Sequence, residues 1–109
     1  MNVYNHPTAE GAQLLGSVDA GMGYEFDMLI AVVRLSDGAL FMAEDRGCSC
    51  FSPFEGTTWD DMTPVTNGAE FARLCRLWRR QEDRAGRTGL VEDVERLIAT
   101  VRRARKRRK

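Results

Sequence analysis

Arg73, Arg76, Arg80, Arg84 and Arg87 recur at steps of three and four residues. At about 100° per residue this spacing lines them along one stripe of a helix. A guanidinium is a planar fork of N–H donors that matches phosphate and carboxylate oxygens, so the stripe suits contact with an anionic backbone. A second block, Arg102, Arg103, Arg105, Lys106, Arg107, Arg108 and Lys109, ends the sequence. It would neutralise phosphates in a steeply salt-dependent, weakly selective way. The block has no aromatic residue, which argues against base stacking on single strands. Plainer readings stand beside both features. The stripe can be a solvated helix face partly neutralised by Glu70, Glu82 and Asp83, and the terminal block a solubilising tail.

Charge is sorted along the chain. Residues 1–72 hold eleven acidic side chains against Arg34 and Arg46, while residues 73–109 hold fourteen basic and five acidic ones, so the net charge is zero. Such asymmetry points to a nucleic-acid, membrane or acidic-protein contact through the C-terminal part, or to pairing between the halves. Asp19, Glu25, Asp27, Glu44, Asp45, Glu55, Asp60 and Asp61 form the acidic part. Held on a rigid surface they could imitate phosphates and occupy a basic groove of another protein. Solubility and pairing with the arginines are the plainer account.

Cys48 and Cys50 lie one residue apart, poor spacing for an unstrained disulfide, and with Cys75 they are expected as three thiols. The two could reach one soft metal, with His6, Cys75 or carboxylates completing a small zinc module. Structural zinc sites, however, commonly pair ligands two to four residues apart. Burial as small apolar side chains is the favoured reading, with Pro53 fixing the turn and Phe51 or Phe54 plugging the sheet. No phosphate-binding glycine loop, nucleophile elbow or His-Glu metal pair occurs. The expectation is therefore a non-enzymatic protein with no cofactor and no catalytic or metal-binding residues.

The elements that would position these residues follow from periodicity. At 109 residues one domain is the default. Residues 1–11 read as a loose arm and residues 12–18 as a weak strand. Residues 24–35 are apolar on both parities, a strand covered on both faces. Ser36-Asp37-Gly38 supplies a hairpin turn, and residues 39–44 return. Residues 46–66 read as one long loop pinned by Phe51, Phe54 and Trp59. Asn67, with Glu70 three positions on, starts a helix to about Ala85 that buries Phe71, Leu74, Cys75 and Trp78. Leu90, Val91, Val94, Leu97, Ile98 and Val101 mark a second helix. The fold class is α+β, a small antiparallel meander packed on two C-terminal helices. Residues 1–101 make the domain and 102–109 a disordered basic tail.

The longest apolar run, Met28 to Val33, is far short of the roughly 20 residues that span a bilayer. The N-terminus has neither the positive start nor the apolar segment of a secretory signal, so a cytoplasmic site is expected, with no membrane partner. Nothing in the sequence fixes an oligomeric state.

Gly23-Tyr24-Glu25-Phe26-Asp27, followed by a strand and then by Asp45-Arg46-Gly47-Cys48-Ser49-Cys50-Phe51-Ser52-Pro53-Phe54-Glu55, resembles a family of small uncharacterised proteins of actinobacteria and their phages. The resemblance covers roughly residues 20–65, and its specific part is the Gly-Cys-Ser-Cys-x-Ser-Pro-Phe-Glu segment, with Phe51 where the family often has proline. It brings no activity and implies a phage or prophage accessory protein in a bacterial cytoplasm. The basic helices lie outside it. From charge and spacing, the expected role is contact with a nucleic-acid backbone through the arginine stripe and tail. The alternative is a modulator that binds a host protein through its acidic face or its Arg-rich helices.

Overall fold

A computed structural model describes residues 2–48 and 52–107, with side chains through Arg105. Four antiparallel strands, β1 (Ala12–Asp19), β2 (Glu25–Arg34), β3 (Leu40–Cys48) and β4 (Thr63–Val65), lie in sequence order. Two helices follow, α1 (Gly68–Arg84) and α2 (Val91–Arg107). This is the α+β meander with two C-terminal helices that the periodicity implies.

β2 has a buried residue at every position from Phe26 to Val33 because the two sheet faces meet different covers. Leu29, Ala31 and Val33 pack on the helix side with Phe71, Cys75 and Trp78 of α1 and Val94, Leu97, Ile98 and Val101 of α2. Phe26, Met28, Ile30 and Val32 pack on the other side with Val3, Phe54 and Met62. The N-terminal segment is therefore part of the core. Val3 is fully buried and Tyr4 lies against the Phe54 ring, so the arm expected to be loose serves as a lid on the sheet.

In β1 the register skips between Leu14 and Gly16. The extra residue moves the strand from one parity to the other, so Ala12 and Leu14 face the arm while Val18 faces the helices. Gly16 sits beneath Leu97, and a Cβ there would lie 2.8 Å from its Cδ1. In the β2–β3 turn Gly38 takes φ 73°, and the Asp37 carboxylate accepts from Ala39 N–H and from the Arg34 guanidinium. That guanidinium also lies over the rings of Phe41 and Trp59.

Two elements differ from the periodicity. Inside the segment read as loop, β4 pairs with β3 at Leu40, Phe41 and Met42. It is only three residues long and contains Pro64, which is tolerated on an edge strand. α2 continues to Arg107, six residues past Val101, the last position of its apolar stripe. Val101 is fully buried, so the basic block begins on a docked helix rather than as a free tail. Among the described residues no helix is long and apolar enough to cross a membrane.

Gly21 closes the β1–β2 connection. A Cβ there would stand 2.6 Å from Phe26 Cα and 2.9 Å from Asp19 Oδ1, and would also collide with the Glu25 carbonyl. Backbone cannot swing aside as a side chain can. Gly21→Ala is expected to destabilise the fold by about 1–3 kcal/mol in urea unfolding at unchanged m value.

Candidate functional site

α1 buries positions 71, 75 and 78, and one further step of four brings Glu82 onto the same stripe. Asp27 on β2 is in phase with Leu29, Ala31 and Val33 and therefore faces the helices. The two carboxylates meet where the sheet's end approaches the end of α1, each with 2% of its surface exposed. Asp27 Oδ2 and Glu82 Oε2 accept no hydrogen bond.

Two arginines from other elements approach this pair. Arg46, opposite Asp27 in the β2–β3 register, places Nη2 3.5 Å from Glu82 Oε1 and 3.7 Å from Asp27 Oδ2. Arg87, between the helices, places Nη1 3.7 Å from Asp27 Oδ2 and 3.8 Å from Glu82 Oε2. Its Nη2 donates to Glu25 Oε2 at 3.2 Å. The contacts to the buried oxygens are long for hydrogen bonds, so positive charge is near but no proton is donated. Burial pushes the Glu82 carboxyl up to about 7, with the hydrogen bond and charge of Asp27 adding to the rise and Arg46 and Arg87 opposing it.

The quartet borders several clefts, two of which lie against the carboxyl-pair end of the sheet. One, of about 320 Å³, is lined by Glu25, Phe26, Arg46, Gly47, Cys48 and Arg87. The other, of about 300 Å³, is lined by Asp27, Glu44, Asp45, Arg46 and Gln81. The site thus joins two buried carboxyls, one of them raised toward neutral pH, to two guanidinium groups from other elements. Among the described residues no three His, Cys, Asp or Glu side chains converge as metal ligands.

The arginine stripe divides. Arg73, Arg80 and Arg84 are exposed, each two residues beyond a buried position and hence about 200° around the helix. Arg76 instead donates twice to Glu95 of α2, at 2.9 and 2.7 Å, and holds that carboxyl below its usual range. Arg87 leaves the stripe altogether. α1 ends at Arg84, Gly86 takes φ 88°, and the N–H groups of Gly86 and Arg87 return to the carbonyls of Asp83 and Glu82. This glycine-terminated reversal turns Arg87 toward the sheet. On α2, Arg102 and Arg103 are exposed, and Arg105 donates to the Thr66 carbonyl beside the start of α1. Lys106 and Arg107 extend the helix backbone, and Arg108 and Lys109 lie outside the described residues.

The acidic cluster is largely spent inward. Asp19 accepts from Gly21 and Asp27 N–H, Asp45 from Arg46 and Phe54 N–H, and Asp61 from Thr58. The Asp45 bond holds Phe54, a fully buried residue with φ 64°. Cys48 is disulfide-bonded, which corrects the expectation of three thiols and removes its thiolate from zinc binding in this state. Cys50 and Phe51 lie outside the described residues. Cys75 is a buried free thiol, raised to about 12 chiefly by burial.

Spacing puts Asp27 in the acidic surface group and Glu82 on the solvated face of α1, whereas both are buried, and it does not single out Arg46. The available signal was phase: Glu82 continues the 71, 75, 78 series, and Asp27 continues the 29, 31, 33 series. Arg46 is one of two basic residues in the first 72 and falls opposite Asp27 only once the hairpin register is fixed.

A carboxyl raised from 4.5 to about 7 on folding makes the native state bind more protons than the unfolded chain between those values. Its contribution to stability is present below pH 4.5 and is lost as pH rises to 7. Over the interval this amounts to about 3 kcal/mol. Urea unfolding from pH 4.5 to 8 is expected to show this fall, and Glu82→Gln to flatten it.

No curated protein and no solved structure matches the chain significantly. A family model described as "Domain of unknown function (DUF7574)" matches residues 1–107, nearly the whole fold including both basic helices, and the chain belongs to that family.

Proposed function

We propose that this protein is a non-enzymatic accessory factor, of phage or prophage type and acting in a bacterial cytoplasm, that contacts a nucleic-acid backbone through the outer face of its helix layer. The observation that carries this reading is that Arg73, Arg80 and Arg84 stand exposed in one row with no acidic partner among the described residues, while Arg102 and Arg103 extend the charge on the neighbouring helix. Arg102 packs close to Gly68 at the start of α1, so the basic end of α2 adjoins the Arg73 end of the row. Free guanidinium groups fixed on a rigid helix suit phosphate contact with little ordering cost. Arg76 and Arg87 serve structural pairs and are left out of the contact surface.

A host-protein contact is the second reading, favoured by the exposed Met22 and Tyr24 on the β1–β2 turn. They are large apolar side chains at a protruding tip, the kind of anchor a protein interface uses.

Binding of nuclease-treated protein to a generic duplex and a generic single strand across a salt series tests both. Arg73→Ala/Arg80→Ala/Arg84→Ala is expected to weaken duplex binding about tenfold or more and to lower the salt slope by about three. Substitution is preferable to truncation after Thr100, which would remove Val101 from the core. Absence of binding at low salt overturns the nucleic-acid reading. Capture of one dominant host protein that Met22→Ala/Tyr24→Ala abolishes would then support the second.

A further inference from the structure

We infer that the edge of β3 beyond β4 is a docking site for an extended segment of a partner protein, which joins the sheet as a further strand and places a lysine or arginine in the acidic cleft beneath that edge. Arg34 N–H donates to the Ala39 carbonyl. In the register that runs from Val33–Leu40 to Glu25–Cys48, the odd-numbered residues of β3 therefore bond β2, and the even-numbered ones turn their backbone groups away. β4 pairs with Leu40, Phe41 and Met42 and goes no further. Past it, the Glu44 N–H and the Glu44 and Arg46 carbonyls meet no other segment among the described residues, and the Arg46 N–H is met by the neighbouring Asp45 carboxylate. Glu44 and Arg46 are both exposed.

A strand that joins a sheet sends alternate side chains to its two faces, and this edge has a cleft on each. On the helix side Asp27, Glu44, Asp45, Arg46 and Gln81 line about 300 Å³. Asp27 is buried in its wall, with a side chain 3% exposed, and Oδ2 accepts no hydrogen bond. The Arg46 and Arg87 nitrogens stand 3.7 Å from that oxygen and bring charge without a donated proton. An ammonium or guanidinium of the partner supplies the missing donor, and Arg46, its side chain 70% exposed, has room to swing aside. On the opposite face a cleft of about 410 Å³ is bordered by Phe26, Gly47, Ser52 and Gly56. Gly47 leaves space above the ring there, since a Cβ would stand 3.0 Å from Phe26 Cζ.

These two clefts define the occupant. A residue directly opposite Glu44 shares its face, so the basic side chain sits opposite Glu44 and over Asp27, its flanking neighbours turn to the Phe26 side and are apolar, and its own N–H and carbonyl meet the edge. Charge on an edge ordinarily deters pairing, but Glu44 deters an acidic strand and favours a basic one. The chain's own basic block is not this segment, because α2 is helical through Arg107. The edge makes no use of Arg73, Arg80 or Arg84, so it stands apart from the nucleic-acid reading.

The test titrates the full chain at low salt with the end-capped peptide Thr-Val-Lys-Val-Thr and its Arg-centred and Glu-centred counterparts, following backbone amide shifts. The expected result is a Kd below about 1 mM for a basic peptide, shifts concentrated at residues 43–47, and about tenfold weaker binding of the Glu-centred one. Glu44→Lys is expected to reverse that preference. Methylating the lysine nitrogen of the peptide, which keeps its charge, is expected to abolish binding, whereas methylating a valine nitrogen spares it. Arg73→Ala/Arg80→Ala/Arg84→Ala is expected to leave peptide affinity unchanged. The docking site is overturned if neither basic peptide binds, if the shifts lie elsewhere, if the two methylations act alike, or if Glu44→Lys leaves the preference as it was.

Discussion

The constraint on which this structure depends is that β2 is apolar on both faces. A central strand of that kind cannot leave either side wet, and a chain of 109 residues has few segments with which to cover both. The two helices take one side. The other is closed by residues that resemble loop in the sequence: Val3 and Tyr4 from the arm, and Phe54, Trp59 and Met62 from the connection between β3 and β4. This need explains why a fully buried phenylalanine is held in a left-handed conformation that side chains other than glycine rarely adopt. Phe54 closes the sheet from that backbone geometry, and Asp45 fixes it there through the N–H.

The buried carboxyl pair sits where this covering ends. The helix-side core runs out toward the last turn of α1, and its next positions on both elements are acidic rather than apolar. A leucine at 82 would extend the stripe begun at 71, so the site concedes stability that a simple extension of the core would have kept. The concession is confined by charge from two directions, Arg46 across the hairpin and Arg87 from the linker. It leaves the α1–α2 connection tied to the sheet by ion pairs of Arg87, whereas the body of each helix is tied by apolar packing.

The central hairpin, the Asn67 start of α1 and the buried stripes of both helices were legible, because each rests on local periodicity or capping. Asn67 accepts from Glu70 N–H as its position implies, while the Glu70 carboxylate accepts from Thr66 rather than from the cap backbone. Val91 departs from its stripe and is exposed, being the first residue of α2. What was not legible depends on contacts distant in sequence. β4 is too short and too proline-bearing to show a period, and the buried arm is polar for all but a few residues. The outward pointing of the arginine row was readable from helical phase. The diversion of Arg87 was not, because it follows from where α1 stops.

The separation of charge along the sequence resolves into two different uses in space. Acidic side chains of the first half act mainly at short range, accepting backbone N–H groups at turns or facing arginines, so their number overstates the acidity of the surface. In the second half the pairing is selective. Arg76, Arg79 and Arg87 are each held by a nearby carboxylate, whereas Arg73, Arg80 and Arg84 are left in one row. A chain of zero net charge thus keeps a strongly basic face because its negative charge is consumed elsewhere in building the fold. That division argues for contact through the helix layer rather than for mimicry of phosphates by the sheet.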